Sequence, residues 1–274
     1  MYQEETNPFS RRFEKILKIF IIIASVILAA ELIWLLGVSP FRPLSRIEIS
    51  GLEGIGRGEI TREDVLMMAQ IGHDMSYFNA NPEIIEKSLM RYSFLESARV
   101  YRHFPDRLHI VLEGRRAVAS AFTNIGGLTV PLLIDSQGVI FEVGTDISNG
   151  NLSLPVISGL IIEDPFPGMK LPDLFIPLFL ELEKLQISSP LLIGAVSEVK
   201  INRRAWDAYD LEIFPMHSNI RVRLSELNED ILRYTLLMID VLESSNSSLI
   251  TGAVDSLDFR SGIASYIPRE AFFE

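Results

Sequence analysis

The feature that most constrains this chain is a run of 20 residues from Ile19 to Val38, IFIIIASVILAAELIWLLGV, broken by a single charge at Glu31. At ~1.5 Å per residue such a helix is roughly 30 Å long, the thickness of a bilayer's hydrocarbon core. A helix of this length buried in a soluble core would show a polar face, and this one has none. Glu31 would cost ~2.5–3.5 kcal/mol at mid-bilayer, but it lies past the middle of the run and can approach the far interface. Trp34 follows one turn later, where aromatic belts form. Arg11, Arg12, Lys15 and Lys18 precede the run, whereas the flank after it opens Ser39-Pro40-Phe41, with Arg42 and Arg46 further out. That bias predicts a cytoplasmic tail over 1–18, a single span over 19–38, a linker over 39–44 and an exported body. A cleaved signal peptide with its apolar core at Ile19–Ala30 is the competing reading. The missing A-x-A before Glu31 and the resumption of the apolar run at Leu32 argue for an uncleaved anchor.

About seven-eighths of the 274 residues therefore lie beyond the membrane, which disfavours chemistry driven by cytoplasmic cofactors. The absence of cysteine excludes disulfides, thiolate metal sites and thiol nucleophiles. A formal charge of −11 argues against broad nucleic-acid binding. The charge is unevenly spread. Ser45–Arg116 holds 10 basic and 11 acidic residues, but Ala117–Glu274 holds 10 basic and 21 acidic. The break predicts two exported modules with different surfaces, 45–116 and 117–268, followed by a tail over 269–274.

The first module reads β-α-α-β-β. Arg46–Ser50 alternates as a half-buried strand does. Thr61-Arg62-Glu63-Asp64 has the form of a capping box before Val65, Leu66 and Ala69. Asn81-Pro82-Glu83 starts a second helix whose inner face is Ile85, Leu89 and Tyr92. Ala98–His103 and Leu108–Glu113 alternate around the turn Phe104-Pro105-Asp106, which makes a hairpin. Two helices on one face of a small sheet account for the module.

The second module is longer and richer in β structure. Leu132–Phe141 reads strand, turn, strand, with Gly138 in the turn. Leu154–Gly159 is a short further segment. A helix carries Leu178, Leu182 and Leu185 on one stripe, Ile220–Leu224 alternates as a strand, and a helix from about Asn228 to Glu243 has the stripe Leu232, Leu236 and Ile239. Gly252–Ile267 is β-like. The fold class is α+β: a membrane helix, a β-α-α-β-β domain, then a mixed β-rich domain with helices on its sheet.

Few residues offer catalytic chemistry. His103 and His109 flank the hairpin turn, but no carboxylate stands near them at a recurring ligand spacing, so surface histidines are the better account. Gly54-Ile55-Gly56-Arg57-Gly58 lacks the spacing of a phosphate loop, and no nucleophile-elbow, zinc-protease or Walker motif is present. Asp207 and Asp210, or Glu226, Glu229 and Asp230, read more simply as a solvated face than as a glycosidase pair. The sequons at Asn151 and Asn246 carry no weight in a bacterial chain. No enzyme, cofactor, metal or small-molecule substrate is expected.

Three stretches carry a family resemblance. Ala98–Glu113, ARVYRHFPDRLHIVLE, is similar to the A-x-V-x-R-x-[WF]-P-x-x-L-x-I-x-V-x-E hairpin of the bacterial division family FtsQ, also called DivIB. Leu133-Ile134-Asp135 with Gly138–Phe141 resembles the opening of that family's β domain, and Leu257-Asp258-Phe259-Arg260 resembles its closing D-[LM]-R segment. The chain departs from the pattern at Ser93, at Gly114-Arg115-Arg116-Ala117 and at Met216–Asn219. The resemblance implies that 45–116 is a POTRA domain, that the protein is a scaffold of the inner membrane with its body periplasmic or extracellular, and that its partners are FtsB and FtsL, with FtsK and FtsW at the POTRA domain.

It further implies that the C-terminal region receives a strand from FtsB. An edge strand offers unpaired backbone groups to an incoming chain. Ile263, Ala264, Tyr266 and Ile267 are then the contact residues, with Phe259 and Arg260 holding the neighbouring strand. In the first module Arg99, Tyr101, Arg102, Arg107 and Arg115 belong to a basic concentration that can meet an acidic partner or anionic lipid. The alternative function is a POTRA-type chaperone or assembly factor for envelope proteins, working through the hairpin edge.

Overall fold

The computed structural model describes residues 8–52, 60–144, 154–206, 208–244 and 254–268, without the side chains of 8–15 and 40. The glycine-dense segment 54–58, Asp207, both sequons and the tail over 269–274 lie outside the described residues, as does the tail before residue 8. The chain divides into two compact units. One comprises Met1–Leu52, Thr61–Arg91 and Ser97–Leu112; the other comprises Glu53–Ile60, Tyr92–Glu96 and Glu113–Glu274.

In the first unit, helix α1 (Pro8–Ile33) continues through a π-helical turn at Trp34–Val38 and a 3-10 turn at Ser39–Phe41. Its stretch Ile16–Val38, 23 residues of mean hydropathy 2.7, has none of its length buried, and by length and composition it could cross a membrane. The Arg42 guanidinium stands 4.6 Å from the Trp34 ring centre, a cation–π contact at the end of this helix.

The elements that follow are β1 (Arg46–Ser50), α2 (Arg62–Met68), α3 (Pro82–Leu89), β2 (Leu95–His103) and β3 (Arg107–Gly114). The strands form a sheet in the order β1-β3-β2, with β1 parallel to β3 and Ile47 and Ile49 opposite Leu108 and Ile110. The capping box is present: Thr61 Oγ1 accepts from the Asp64 N–H at 3.3 Å, and the Asp64 carboxylate accepts from the Thr61 N–H at 2.9 Å. Asn81 caps α3 through the Glu83 N–H at 3.0 Å. Val65, Ala69, Ile85 and Leu89 are buried, as are Ala98, Val100, Leu108, Ile110 and Leu112 at alternate strand positions. Helical and strand periodicities thus supply the two sides of one small core. Tyr92 is a correction. Helix α3 ends at Leu89 with Met90 as its C-cap, so Tyr92 falls in the following turn, exposed, with its ring 5.7 Å from Phe94.

The second unit contains β4 (Ala119–Ile125), β5 (Leu128–Ile134), β6 (Val139–Val143), β7 (Val156–Ser158), β8 (Met169–Lys170), α4 (Ile176–Ser188), α5 (Pro190–Ile193), β9 (Val196–Arg203), β10 (Tyr209–Pro215), β11 (Arg221–Leu224), α6 (Glu229–Ser244), β12 (Val254–Asp258) and β13 (Ser265–Pro268). Its described strands make one sheet in the order β13-β12-β11-β10-β9-β7-β4-β5-β6-β8. Consecutive strands supply the antiparallel pairs except β6–β8, while β4–β7, β7–β9 and β11–β12 are parallel. A single apolar cluster lies under the helices. Leu178, Phe179, Leu182 and Leu185 of α4 and Leu232 and Ile239 of α6 join Ala121, Ile157, Val199, Leu211, Val222 and Leu257 of the strands.

Two glycines are required by geometry. Gly138 sits at φ +73° in the β5–β6 turn. Gly159, at φ +80°, leaves β7 so close to β9 that a Cβ there would stand 2.1 Å from the Ile201 carbonyl oxygen.

A candidate partner-binding edge

The site is assembled from the last two strands. Strand β12 is held on one side by β11, in parallel register with Val222 opposite Leu257, and on the other by β13, with Leu257 opposite Tyr266 and Asp258 opposite Ser265. Among the described residues β13 pairs with β12 alone, so it is an edge of the ten-stranded sheet. Ile263, in the turn before it, is 74% exposed and Tyr266 70%, while Ala264 and Ile267 are half-buried. Phe259 donates its backbone N–H to the Arg223 carbonyl at 2.9 Å, and its ring meets Tyr234 of α6 edge-on at 5.9 Å. It therefore carries β12 one residue further along the core side of the sheet.

Arg260 fixes the turn from the opposite face. Its guanidinium donates to both carboxylate oxygens of Asp258, the Nε bonds being 3.0 Å, and its Nη1 donates to Asp210 of β10 at 3.0 Å. Arg204 pairs with the same Asp210 oxygen at 2.5 Å. Hydrogen bonding to Arg260 holds the Asp258 carboxyl below the usual aspartate value, against the opposing effect of desolvation. The Arg260 guanidinium is raised correspondingly by its bonds to Asp258 and then Asp210. Arg221 donates to Glu212 at 3.3 Å and pairs with Asp255 of β12, and Arg223 lies 3.7 Å from Glu212. These charges occupy alternate positions from the core residues Leu211, Ile213 and Val222, so the face of β10–β12 away from the helices is an ion-pair lattice.

The residues of the expected basic concentration have different local settings. Arg99 and Arg107 are exposed, as is Tyr101, whose ring lies 6.4 Å from His109. Arg102 instead lies over Tyr77 at 5.1 Å and donates to the Tyr77 and Ala80 carbonyls, both at 3.3 Å. Arg115 is 16% exposed and pairs with Asp135, itself 6% exposed, while its Nε donates to the Ser93 carbonyl at 2.9 Å. The Ser93 hydroxyl donates to the Phe141 carbonyl at 2.9 Å. Two positions that depart from the family pattern, Ser93 and Arg115, thus meet each other within the second unit.

The edges of the β1-β3-β2 sheet differ from β13. The N–H of Val100 in β2 donates to the Glu86 carboxylate at 2.7 Å, and Arg62 donates to the Ile47 carbonyl of β1 at 2.9 Å. Side chains from the neighbouring helices fill backbone positions that an added strand would use. His103 and His109 stand with ring centres 6.5 Å apart, and among the described residues no group of three or more histidine, aspartate or glutamate side chains is arranged to hold a metal ion. Nothing in the described residues gives a positive sign of catalysis.

The β-α-α-β-β order with its β1-β3-β2 sheet is that of a POTRA domain, and residues 42–115 match the family described as POTRA domain, FtsQ-type. The chain is 36% identical over 121 residues to the cell division protein FtsQ of Koribacter versatilis (strain Ellin345), a stretch that is 43% of this chain and 31% of that protein. It is 29% identical over 132 residues to the cell division protein FtsQ of Anaeromyxobacter sp. (strain K), 48% of this chain and 41% of that protein. The domain match and these two cell division proteins are what the chain is similar to, and the family-level match rests on the FtsQ-type POTRA domain at 42–115. The chain spans about a third to two-fifths of the length of the curated relatives it matches.

Proposed function

We propose that this chain is a non-catalytic, single-pass scaffold of the bacterial division machinery, with its N-terminus cytoplasmic and its body outside the inner membrane. Residues 45–116 and 117–268 are its working modules. The C-terminal edge strand β13 captures a strand of FtsB, which arrives paired with FtsL, and the POTRA domain offers Arg99, Tyr101 and Arg107 to further membrane partners such as FtsK and FtsW. The observation that carries this reading is β13: it has one strand neighbour among the described residues and bears Tyr266 and, in its turn, Ile263. The relatives' printed role supports the division assignment, and the uninterrupted apolar helix supports the anchor.

Anchoring keeps the modules near one surface, so that weak contacts act at raised effective concentration. The occupied edges of the POTRA sheet weigh against the chaperone alternative, which needs an open hairpin edge. The test is a pull-down of purified FtsB–FtsL by the full chain in detergent. Capture by the parent and its loss in Ile263→Pro and Tyr266→Pro is the expected result. Undiminished capture by both variants rejects the strand-addition reading. Depletion in the source organism should give filaments blocked in septation, and normal division would remove the division role.

A further inference from the structure

We propose that the chain captured at β13 is an amphipathic strand, with apolar side chains at every second residue packed against the outer flank of α6 and polar side chains on the opposite side. The inference rests on the strand-addition reading of β13 and specifies what that edge selects.

The two flanks of α6 are told apart by their contacts. Glu229 accepts from the Ser188 and Ser189 hydroxyls at the end of α4, at 3.2 and 2.7 Å, so its flank faces α4. Tyr234 meets Phe259 beyond β12, so its flank faces the free edge. At 100° per residue these two positions are about 140° apart around the helix axis. Tyr234, Met238 and Val241 follow one another at i, i+4 and i+7 and form a single stripe on the edge-facing flank. Tyr234 is 60% exposed and Val241 63%, and Met238 is half-buried against the core. The α4-facing flank carries Glu229, Arg233 and Asp240 instead.

On the sheet, Tyr266 lies opposite the core residue Leu257 and hence on the α6 side. Ser265 lies opposite Asp258, on the side of the ion-pair lattice. A strand added to β13 would continue both faces: apolar beside Tyr266 and the α6 stripe, polar beside Ser265 and Asp258. The lengths agree. From Tyr234 to Val241 the helix rises ~10 Å, and β13 with its four residues is of similar extent. Alternate residues of a strand recur every ~6.7 Å, so two apolar side chains of an added strand fit within the ~10 Å that the stripe spans along α6. The occupant is therefore an extended segment of at least four residues with apolar side chains at i and i+2, rather than a helix or a uniformly polar tail.

Two labelled 12-residue peptides test this against the full chain in nanodiscs, by fluorescence anisotropy. One alternates Val with Thr or Gln, and the other replaces each Val by Ser. The Val peptide should bind at least tenfold more tightly. Val241→Asp, at an exposed position and with an unchanged melting temperature, should weaken it by tenfold or more without affecting the Ser peptide, and Tyr234→Asp should do the same. Tyr266→Pro should abolish binding of both. If Tyr266→Pro removes binding while Val241→Asp and Tyr234→Asp stay within twofold of the parent, the edge stands and the role of α6 is wrong. If Tyr266→Pro binds normally, or neither peptide binds the parent, the edge reading fails and takes the inference with it.

Discussion

The two sheets of this molecule treat their edges in opposite ways. In the POTRA domain the exposed margins of β1 and β2 are occupied by neighbouring side chains, Arg62 on the Ile47 carbonyl and Glu86 on the Val100 N–H. In the second unit β13 has a turn anchored from behind by Arg260, and its outer margin has no strand neighbour among the described residues. Sheet edges are aggregation hazards that proteins ordinarily blunt. The contrast is between a domain whose outer strands carry side-chain hydrogen bonds on their backbone and a unit whose last described strand has one strand neighbour among the described residues. On the reading proposed above, the POTRA domain would recognise partners through side chains on its surface, and the second unit through backbone.

The largest effect should come from closing the open edge. Tyr266→Pro removes a backbone donor and disturbs the strand, and capture of a strand partner should fall more than 100-fold in a pull-down or anisotropy titration. Next is the buried pair that ties Arg115 to Asp135. Arg115→Ala leaves a buried carboxylate without its cation and should cost about 3 kcal/mol in urea unfolding of the full chain. That change should leave strand capture at native conditions intact, which separates stability from edge function. Opening a guarded edge comes third. Glu86→Ala frees the Val100 N–H, at a cost of about 1.5–3 kcal/mol for a hydrogen bond to a charged acceptor, and amide exchange at Val100 should accelerate more than tenfold. A variant that exchanges like the parent would mean that the guard is ornamental.

The smallest effect is in pH. Because the folded-state value of Asp258 is depressed, its contribution is present above the ordinary aspartate value of about 3.9 and is lost as pH falls through the lower folded value. Amide exchange in the 258–266 turn should therefore be flat between pH 5 and 7, after correction for intrinsic rates, and rise only in stronger acid. In Arg260→Ala that rise should move to higher pH.

Local signals made much of the fold legible. The Thr61 capping box, the Asn81 cap, the turn at Phe104–Asp106 and the stripes of α4 and α6 each depend on residues within a few positions of one another. The strands of the sheet centre were harder. Along β9, Val196 and Val199 are both buried although three residues apart, because the register with β10 shifts at Phe214/Pro215 and breaks the period of two. Strand β4 turns only Ala119 and Ala121 inward, too little apolar bulk to stand out. The expected C-terminal contact residues came from family resemblance, while their structural setting did not. The pairing of Arg260 with Asp210 joins residues 50 positions apart, and the use of Arg115 in a buried ion pair depends on a distant turn. The expected stripe of α6 was Leu232, Leu236 and Ile239; the row Tyr234–Met238–Val241 beside it takes its direction from the contact with Phe259.

The brevity of β13 has a kinetic consequence. Four residues present only two or three outward backbone groups, each hydrogen bond contributing ~0.5–1.5 kcal/mol net. Immobilising a free chain costs several times that, on the order of 4–15 kcal/mol. Backbone zipping alone would let go almost at once. The dwell time of any strand added there would then be set by what its side chains find beside the ribbon.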